Sequence, residues 1–280
     1  MDGLYASEVD ERKSLMVQPL VSFLMSVRND SITLEKCLES LTQQTYKKVE
    51  IVIVLDDANP LAEKKVRIAA RDNQIFRVIV NPSPKNLSRS LNLGISNCKG
   101  EYIARIDADD ICALDRVTLQ LTCLESLGAD FALVGSRASG LYSENQGDDI
   151  TILEGRDFNK TNPLIHPSTL VRREILEKFK YNESYRYSQD YELWTRVVKF
   201  YKIGILNREL IKFDNRQRDP RYVLTQEFYF LRANLRFLLA SIKVGNGRLE
   251  FEEISQSLFI NIVRQKNLAR NWIRLAVGRF

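Results

Sequence analysis

Three aspartates, Asp107, Asp109 and Asp110, close a short run with apolar residues at Tyr102, Ile103, Ala104 and Ile106. Carboxylates crowded in this way repel one another unless a cation sits between them. A pair spaced i, i+2 along an extended segment needs to bend only slightly to face one divalent ion, which can then bridge a diphosphate. A second acidic pair, Asp56-Asp57, ends the β-branched run Val49 to Leu55. An aspartate at the carboxyl edge of a sheet accepts hydrogen bonds from donors on a base or sugar, and a turn with a helix cap uses the same residue types. The third group is Ser188-Gln189-Asp190-Tyr191-Glu192-Leu193-Trp194. Here Asp190 is either a helix cap followed by a core tryptophan, or a general base beside aromatic walls on which a sugar ring could stack.

The elements that must carry these groups alternate strand and helix five times through the first half of the chain. Leu20 to Val27 is an apolar run without helical spacing and predicts a buried parallel strand. A polar loop from Arg28 to Ser31 ends on a capping residue, after which Leu34, Cys37, Leu38 and Leu41 keep amphipathic helical spacing. Val49 to Leu55 is a second strand, Asn59-Pro60 opens a helix toward Arg71, and Phe76 to Val80 is a third strand. Leu87, Leu91, Gly94, Ile95 and Cys98 mark the next helix ahead of the acidic strand. Val117, Leu121 and Leu124 then predict a helix closed by Gly128, with Asp110 near its start, followed by the strand Phe131 to Val134. The order predicts an α/β fold with a mostly parallel, Rossmann-like central sheet and helices on both faces.

Farther on the pattern is less regular. Residues 137–162 read as a loop-rich connection with one edge strand, Leu170 to Phe179 and Tyr191 to Phe200 as short helices, and Ile203 to Phe213 as a strand. From Tyr222 the sequence is mostly helical, split by Gly245-Asn246-Gly247 into two helices. The expected division is a polar lead-in over 1–18, a main domain over 19–220 with halves at about 19–135 and 136–220, and a helical extension over 221–280.

Composition narrows the class. At 280 residues, with 44% hydrophobic and 28% charged residues, the chain can bury a core of ordinary size. No apolar run approaches the roughly 20 residues of a membrane span. Met1 to Gln18 is polar and acidic where a signal peptide would be basic and then apolar, so a cytoplasmic location is expected. Cys37, Cys98, Cys112 and Cys123 form no Cys-x-x-Cys pair and read as buried free thiols. A single histidine, His166, excludes a histidine-rich metal site. The net charge of +5 is unevenly placed: from Arg208 onward arginines recur among Phe, Tyr, Trp and Leu, which suits a membrane surface, a phosphorylated acceptor or nucleic acid.

Together, the series Val-Ser-Phe-Leu-Met-Ser-Val-Arg-Asn-Asp, Leu-Glu-Ser-Leu-Thr-Gln-Gln-Thr-Tyr, Val-Glu-Ile-Val-Ile-Val-Leu-Asp-Asp, Tyr-Ile-Ala-Arg-Ile-Asp-Ala-Asp-Asp and Gln-Asp-Tyr-Glu-Leu-Trp resembles a family 2 glycosyltransferase of the GT-A fold. The likeness runs over residues 18–215 and is strongest to the kind that builds bacterial O-antigen, capsule or exopolysaccharide. The resemblance implies inverting transfer of a sugar from a nucleotide-diphosphate donor to a hydroxyl of a saccharide or lipid-diphosphate-linked acceptor. UDP-sugars are the favoured donors, with dTDP- and GDP-sugars as alternatives. It implies that Asp57 binds the nucleobase, flanked by Ser26 and Arg28, and that Asp107 and Asp109 hold the sugar nucleotide through Mn²⁺ or Mg²⁺. Asp190 would be the catalytic base, with His166, Gln189 and Trp194 on the acceptor side. No nucleic-acid partner is implied, and the basic carboxy-terminal helices suggest a peripheral place at the inner membrane face. Three positions depart from the family pattern: Arg28 in place of an aromatic residue, Ala58-Asn59 in place of Gly-Ser, and Gln189 in place of Glu.

Other readings fit less well. A metal-dependent phosphatase would use Asp-x-Asp as nucleophile and acid, but it needs a lysine and further acids downstream that the chain does not supply in a convincing set. A sugar nucleotidyltransferase calls for a Gly-rich phosphate loop after the first strand, and Ser26-Val27-Arg28-Asn29 is not one. An inactive scaffold subunit of a polysaccharide assembly complex has no need of both Asp109 and Asp190; turnover of a nucleotide-sugar separates that case from an enzyme.

Overall fold

Strand β1 (Val21–Val27) lies between two parallel neighbours, β2 (Val49–Leu55) and β4 (Tyr102–Arg105), and β2 pairs in parallel with β3 (Phe76–Val80). These elements belong to a computed structural model that describes residues 18–84, 86–139, 149–212 and 220–244. Val21, Phe23, Met25 and Val27 join the core on one side of the sheet and Leu24 the core on the other; Ile51 and Ile53 oppose Val52 and Val54 in the same way. Burial on both faces is why these strands read as predominantly apolar runs.

Helices α1 (Leu34–Thr42), α2 (Pro60–Ala70) and α4 (Arg116–Leu127) cover the first face. The second face is covered by α3 (Leu87–Ile95), α5 (Arg173–Phe179), α6 (Gln189–Val197) and α7 (Pro220–Val244). Local chemistry sets several boundaries. Asn59 Oδ1 accepts the Ala62 N–H at 2.8 Å with Pro60 in the first turn of α2. Gly128 ends α4 with φ 85°, a left-handed backbone that glycine adopts without strain. Before β4, a Cβ on Gly100 would stand 2.6 Å from the Ser22 nitrogen, so the absence of a side chain lets this turn lie flat on β1.

The second half of the sheet is mixed. Strand β8 (Leu170–Arg172) runs antiparallel to both β4 and β6 (Phe131–Ser139), β9 (Lys202–Lys212) runs parallel to β6, and β5 (Ile111–Cys112) and β7 (Ile150–Leu153) pair antiparallel with β9. The order β3-β2-β1-β4-β8-β6-β9-β5, with β7 on β9, makes one continuous sheet.

Several expectations are revised. Leu170–Arg172, expected to open a helix, is the strand that fills the slot between β4 and β6, and the helix begins only at Arg173. Helix α1 starts at Leu34; Ser31, the expected cap, instead accepts the Thr33 N–H at 3.3 Å in the preceding turn. Asp110 is not a helix-start residue, because β5 intervenes and α4 begins at Arg116. The four thiols are free and buried, as expected. Among the described residues no helix is long and apolar enough to cross a membrane. The second carboxy-terminal helix and the lead-in over 1–17 lie outside the described residues.

Candidate active site

Strands β1, β2 and β4 end on one edge of the sheet, and the residues just past them carry the polar groups, as open α/β sheets require of a ligand crevice. After β2 the two aspartates divide their roles. Asp56 is 3% exposed and accepts from Arg28 Nη2 at 2.9 Å and Asn81 Nδ2 at 3.0 Å, while Arg28 Nε donates to its carbonyl at 3.1 Å. This tie draws together the loops that follow β1, β2 and β3. Asp57 is exposed and has a left-handed backbone with φ 57°, which turns it away from that anchor. Ser26 is half-buried in β1, opposite Val54.

At the end of β4, Arg105 is 3% exposed and its Nη2 lies 2.6 Å from Asp107 Oδ1. Burial opposes the guanidinium charge, but the adjacent Asp107 carboxylate outweighs it and raises the pKa above its ordinary value. The loop beyond is pinned from several sides. Asp110 N–H donates to the Asp107 carbonyl at 3.3 Å, Thr33 Oγ1 to the Asp109 carbonyl at 2.9 Å, and Cys37 Sγ to the Asp107 carbonyl at 3.4 Å. Beneath it, fully buried Arg116 donates from Nη2 to the carbonyls of Arg105 at 2.9 Å and Thr169 at 3.2 Å, which fixes the end of β4 against β8. The outcome is that ligand oxygens of Asp107, Asp109 and Asp110 lie within 4.8 Å of one another. A set of three carboxylates, all hard oxygen donors, fits Mg²⁺ or Mn²⁺.

Asp190 comes from the other half of the molecule. Ser188 precedes it with a left-handed φ of 51° and donates from Oγ to the Gln226 carbonyl of α7 at 3.0 Å. The sharp turn starts α6 at Gln189, so Asp190 is the second residue of the helix and not its cap. Its carboxylate is half-buried, and Oδ2 accepts from Asn162 Nδ2 at 2.8 Å. Burial raises the Asp190 pKa above the ordinary carboxylate value, opposed in smaller measure by hydrogen bonds from the helix start and Asn162 and by the charge of Arg105. Replacing Asn162 by Ala removes a donor to the charged form. The acid limb of the pH profile of kcat/KM is therefore expected to move upward, with a several-fold loss of rate at its acid end and a smaller loss on the plateau. An unmoved limb would show that Asn162 does not set the ionisation of Asp190.

The residues expected on the acceptor side lie under the surface. His166 sits in a 3-10 turn with Nε2 2.7 Å from the Tyr181 hydroxyl, and burial, aided by Arg105, holds its pKa well below the ordinary value, so the ring is neutral. Trp194 is 0% exposed and edge-on to His166 at 6.5 Å between ring centroids. It is a core residue, and no sugar ring reaches it to stack. Gln189 is buried as well. The sequence did not single out Arg105 or Asn162 as site residues, and it placed Asp110 in the acidic cluster but near a helix start. Arg105 carried a signal, since a residue two places before Asp107 shares its side of an extended strand. Asn162, 28 positions from Asp190, carried none.

An exposed carboxylate after β2, an acidic triad after β4 and a carboxylate opening a helix on the second half define the class: a group-transfer enzyme built on a nucleotide-binding α/β sheet. Residues 22–180 match the model of Glycosyl transferase family 2, and the chain belongs to that family. It is 32% identical over 215 residues to an uncharacterized glycosyltransferase of Methanocaldococcus jannaschii, covering 73% of each chain. It is 28% identical over 252 residues to the amylovoran biosynthesis glycosyltransferase AmsE of Erwinia amylovora, covering 80% of this chain and 93% of that one. Among solved structures, the mannosyltransferase PcManGT from Pyrobaculum calidifontis, in complex with GDP-Man and Mn²⁺, superposes with a TM-score of 0.67 at 15% identity, over 98% of this chain and 82% of that one. The fold is the GT-A fold of these enzymes.

Proposed function

We propose that this chain is an inverting, metal-dependent glycosyltransferase that moves a sugar from a nucleotide-diphosphate sugar to a hydroxyl of a saccharide or lipid-linked saccharide in surface-polysaccharide synthesis. The observation that carries the reading is the pairing of the acidic triad at the end of β4 with a half-buried, hydrogen-bonded carboxylate at Asp190, both within the field of the buried Arg105 cation. Asp57, with Ser26 and Arg28, would accept hydrogen bonds from the nucleobase, a reading supported by its exposure just past β2. Asp107 and Asp109, with Asp110, would hold Mn²⁺ or Mg²⁺. The chemistry such an ion supplies is neutralisation of charge on the departing nucleoside diphosphate. Asp190 takes the acceptor proton as the acceptor oxygen bonds to the anomeric carbon and the bond from that carbon to the diphosphate oxygen breaks. A base whose pKa is raised toward neutrality accepts that proton with a better driving force. One displacement inverts the configuration. The name of the Erwinia relative supports the polysaccharide context. Calorimetric titration with UDP-, GDP- and dTDP-sugars, with and without Mn²⁺, tests the donor half: one nucleotide should bind, and bind tightly only with metal. Failure of all three would remove the reading.

Peripheral attachment to an anionic membrane belongs to the same proposal. Phe228, Leu235 and Leu239 are exposed on one side of α7, with Arg232 and Arg236 beside them, a pairing of apolar and cationic groups that suits an interfacial helix. Co-sedimentation with phosphatidylglycerol vesicles should fall when residues 250–280 are removed and when these three apolar residues become serine. Unchanged binding in both variants would contradict membrane attachment.

A further inference from the structure

A pocket of about 220 Å³ opens beside Asp190, and Gln226, Glu227 and Phe230 of its wall come from α7, beyond the residues that match the family model. Its aromatic lining is the tilted pair Tyr191 and Phe230, with ring centroids 4.4 Å apart. The polar wall is Asn162, Asp190, Gln226 and Glu227. Ser188 Oγ, bonded to the Gln226 carbonyl at 3.0 Å, fixes α7 against the start of α6 and so sets the width of the pocket. Gln226 and Glu227 have no side-chain hydrogen bond or ion pair with the described residues, so their polar groups remain open to a ligand. Among the described residues lining this space, Asp190 and Glu227 are the only charged ones, and both are acids.

From this wall we infer that the acceptor group seated beside Asp190 is a single uncharged or amino-sugar ring, that Gln226 and Glu227 select it, and that uronic acids and phosphates are excluded. The inference rests on the glycosyltransferase reading above and adds to it the chemistry of the acceptor. The volume is smaller than the roughly 300–1,000 Å³ that holds a drug-sized ligand, which limits the occupant to about one ring. Sugar hydroxyls donate to the carboxylates of Asp190 and Glu227 and accept from the amides of Asn162 and Gln226, leaving each polar group partnered. A carboxylate or phosphate on that ring would meet two acids, with no cation among the described residues lining the pocket, and desolvation on entry would strengthen the repulsion. If the acceptor carries a diphosphate, that group must therefore lie outside the pocket, at least one sugar away from the reacting hydroxyl.

The test uses the intact chain with Mg²⁺ and three probes, methyl glucoside, methyl galactoside and methyl glucuronide, followed by saturation-transfer NMR. At least one neutral glycoside should bind about fivefold or more tightly than the glucuronide, the ratio that corresponds to one like-charge contact of about 1 kcal/mol. Glu227→Gln should largely close the gap by improving glucuronide binding, and Gln226→Ala should weaken the neutral glycoside. Equal binding of the acidic and neutral probes, a gap unchanged by Glu227→Gln, or no binding of any probe would overturn the assignment. Nucleotide-sugar titration of the same preparations separates the two levels. Donor binding with a failed glycoside pattern removes the pocket assignment alone, whereas loss of both removes the proposed activity.

Discussion

Asp190→Asn should leave nucleotide-sugar binding within about twofold of the parent chain and lower kcat for transfer by ~10³-fold, within the range of about 10²–10⁴ for loss of a general base. The amide oxygen can still accept from Asn162, so the geometry at the start of α6 is retained and only the proton acceptor is lost. Donor binding survives because the triad and the nucleobase loops stand on β1, β2 and β4, away from α6. A second readout moves in the opposite direction. Burial holds the folded pKa of Asp190 above its unfolded value, so its contribution to stability is greatest below the unfolded pKa and is lost as pH rises through the folded one. At neutral pH the uncharged asparagine removes that cost, and Tm should rise, with the difference shrinking in acid. A less active and more stable variant is the signature of a carboxylate kept for chemistry. Appreciable remaining transfer would remove Asp190 as the base.

Asp109→Ala should abolish the metal dependence of donor binding, weakening it by ~100-fold or more in Mn²⁺. Removing an outer-shell partner of a metal ligand already costs about 10–100-fold, and loss of a ligand costs at least the upper end of that range. Asp109 gives a cleaner test than Asp107. The Asp107 carboxylate is 2.6 Å from buried Arg105, and truncating it would strand a buried cation, a change that typically costs about 3–5 kcal/mol of stability and would confuse unfolding with metal loss. Titration with and without Mn²⁺ decides the matter. Metal-dependent binding that survives in Asp109→Ala would move the metal site elsewhere.

The sequence shows most clearly what is repeated along the chain. Val49–Leu55 and Phe76–Val80 are strands with the expected boundaries because β-branched residues dominate both runs, with Glu50 and Arg77 their only charged members, and Asn59-Pro60 marks the start of α2 through its own side chain. Strand β8 was missed because it has only 3 residues, Leu170–Arg172, and its pairing partners lie far away in the chain. The acidic clusters were legible as groups, but their division of labour was not. Nothing local distinguishes Asp56, which ties Arg28 and Asn81, from Asp57, which faces out; the difference is set by the loops after β1 and β3. Trp194 reads from the sequence either as a core residue or as part of an acceptor wall, and the tertiary fold buries it. The pocket beside Asp190 could not have been seen at all, since Asn162 lies 28 positions away and Glu227 joins its wall only when α7 docks on α6.

The claim that one displacement is driven by Asp190 is open to a test that needs no knowledge of the acceptor. Once the donor nucleotide is identified, an α-linked nucleotide-sugar can be hydrolysed slowly by the enzyme with water as acceptor, and the released sugar followed by proton NMR before mutarotation. The account predicts that the β anomer appears first, and only in the presence of Mg²⁺. First appearance of the α anomer would contradict it.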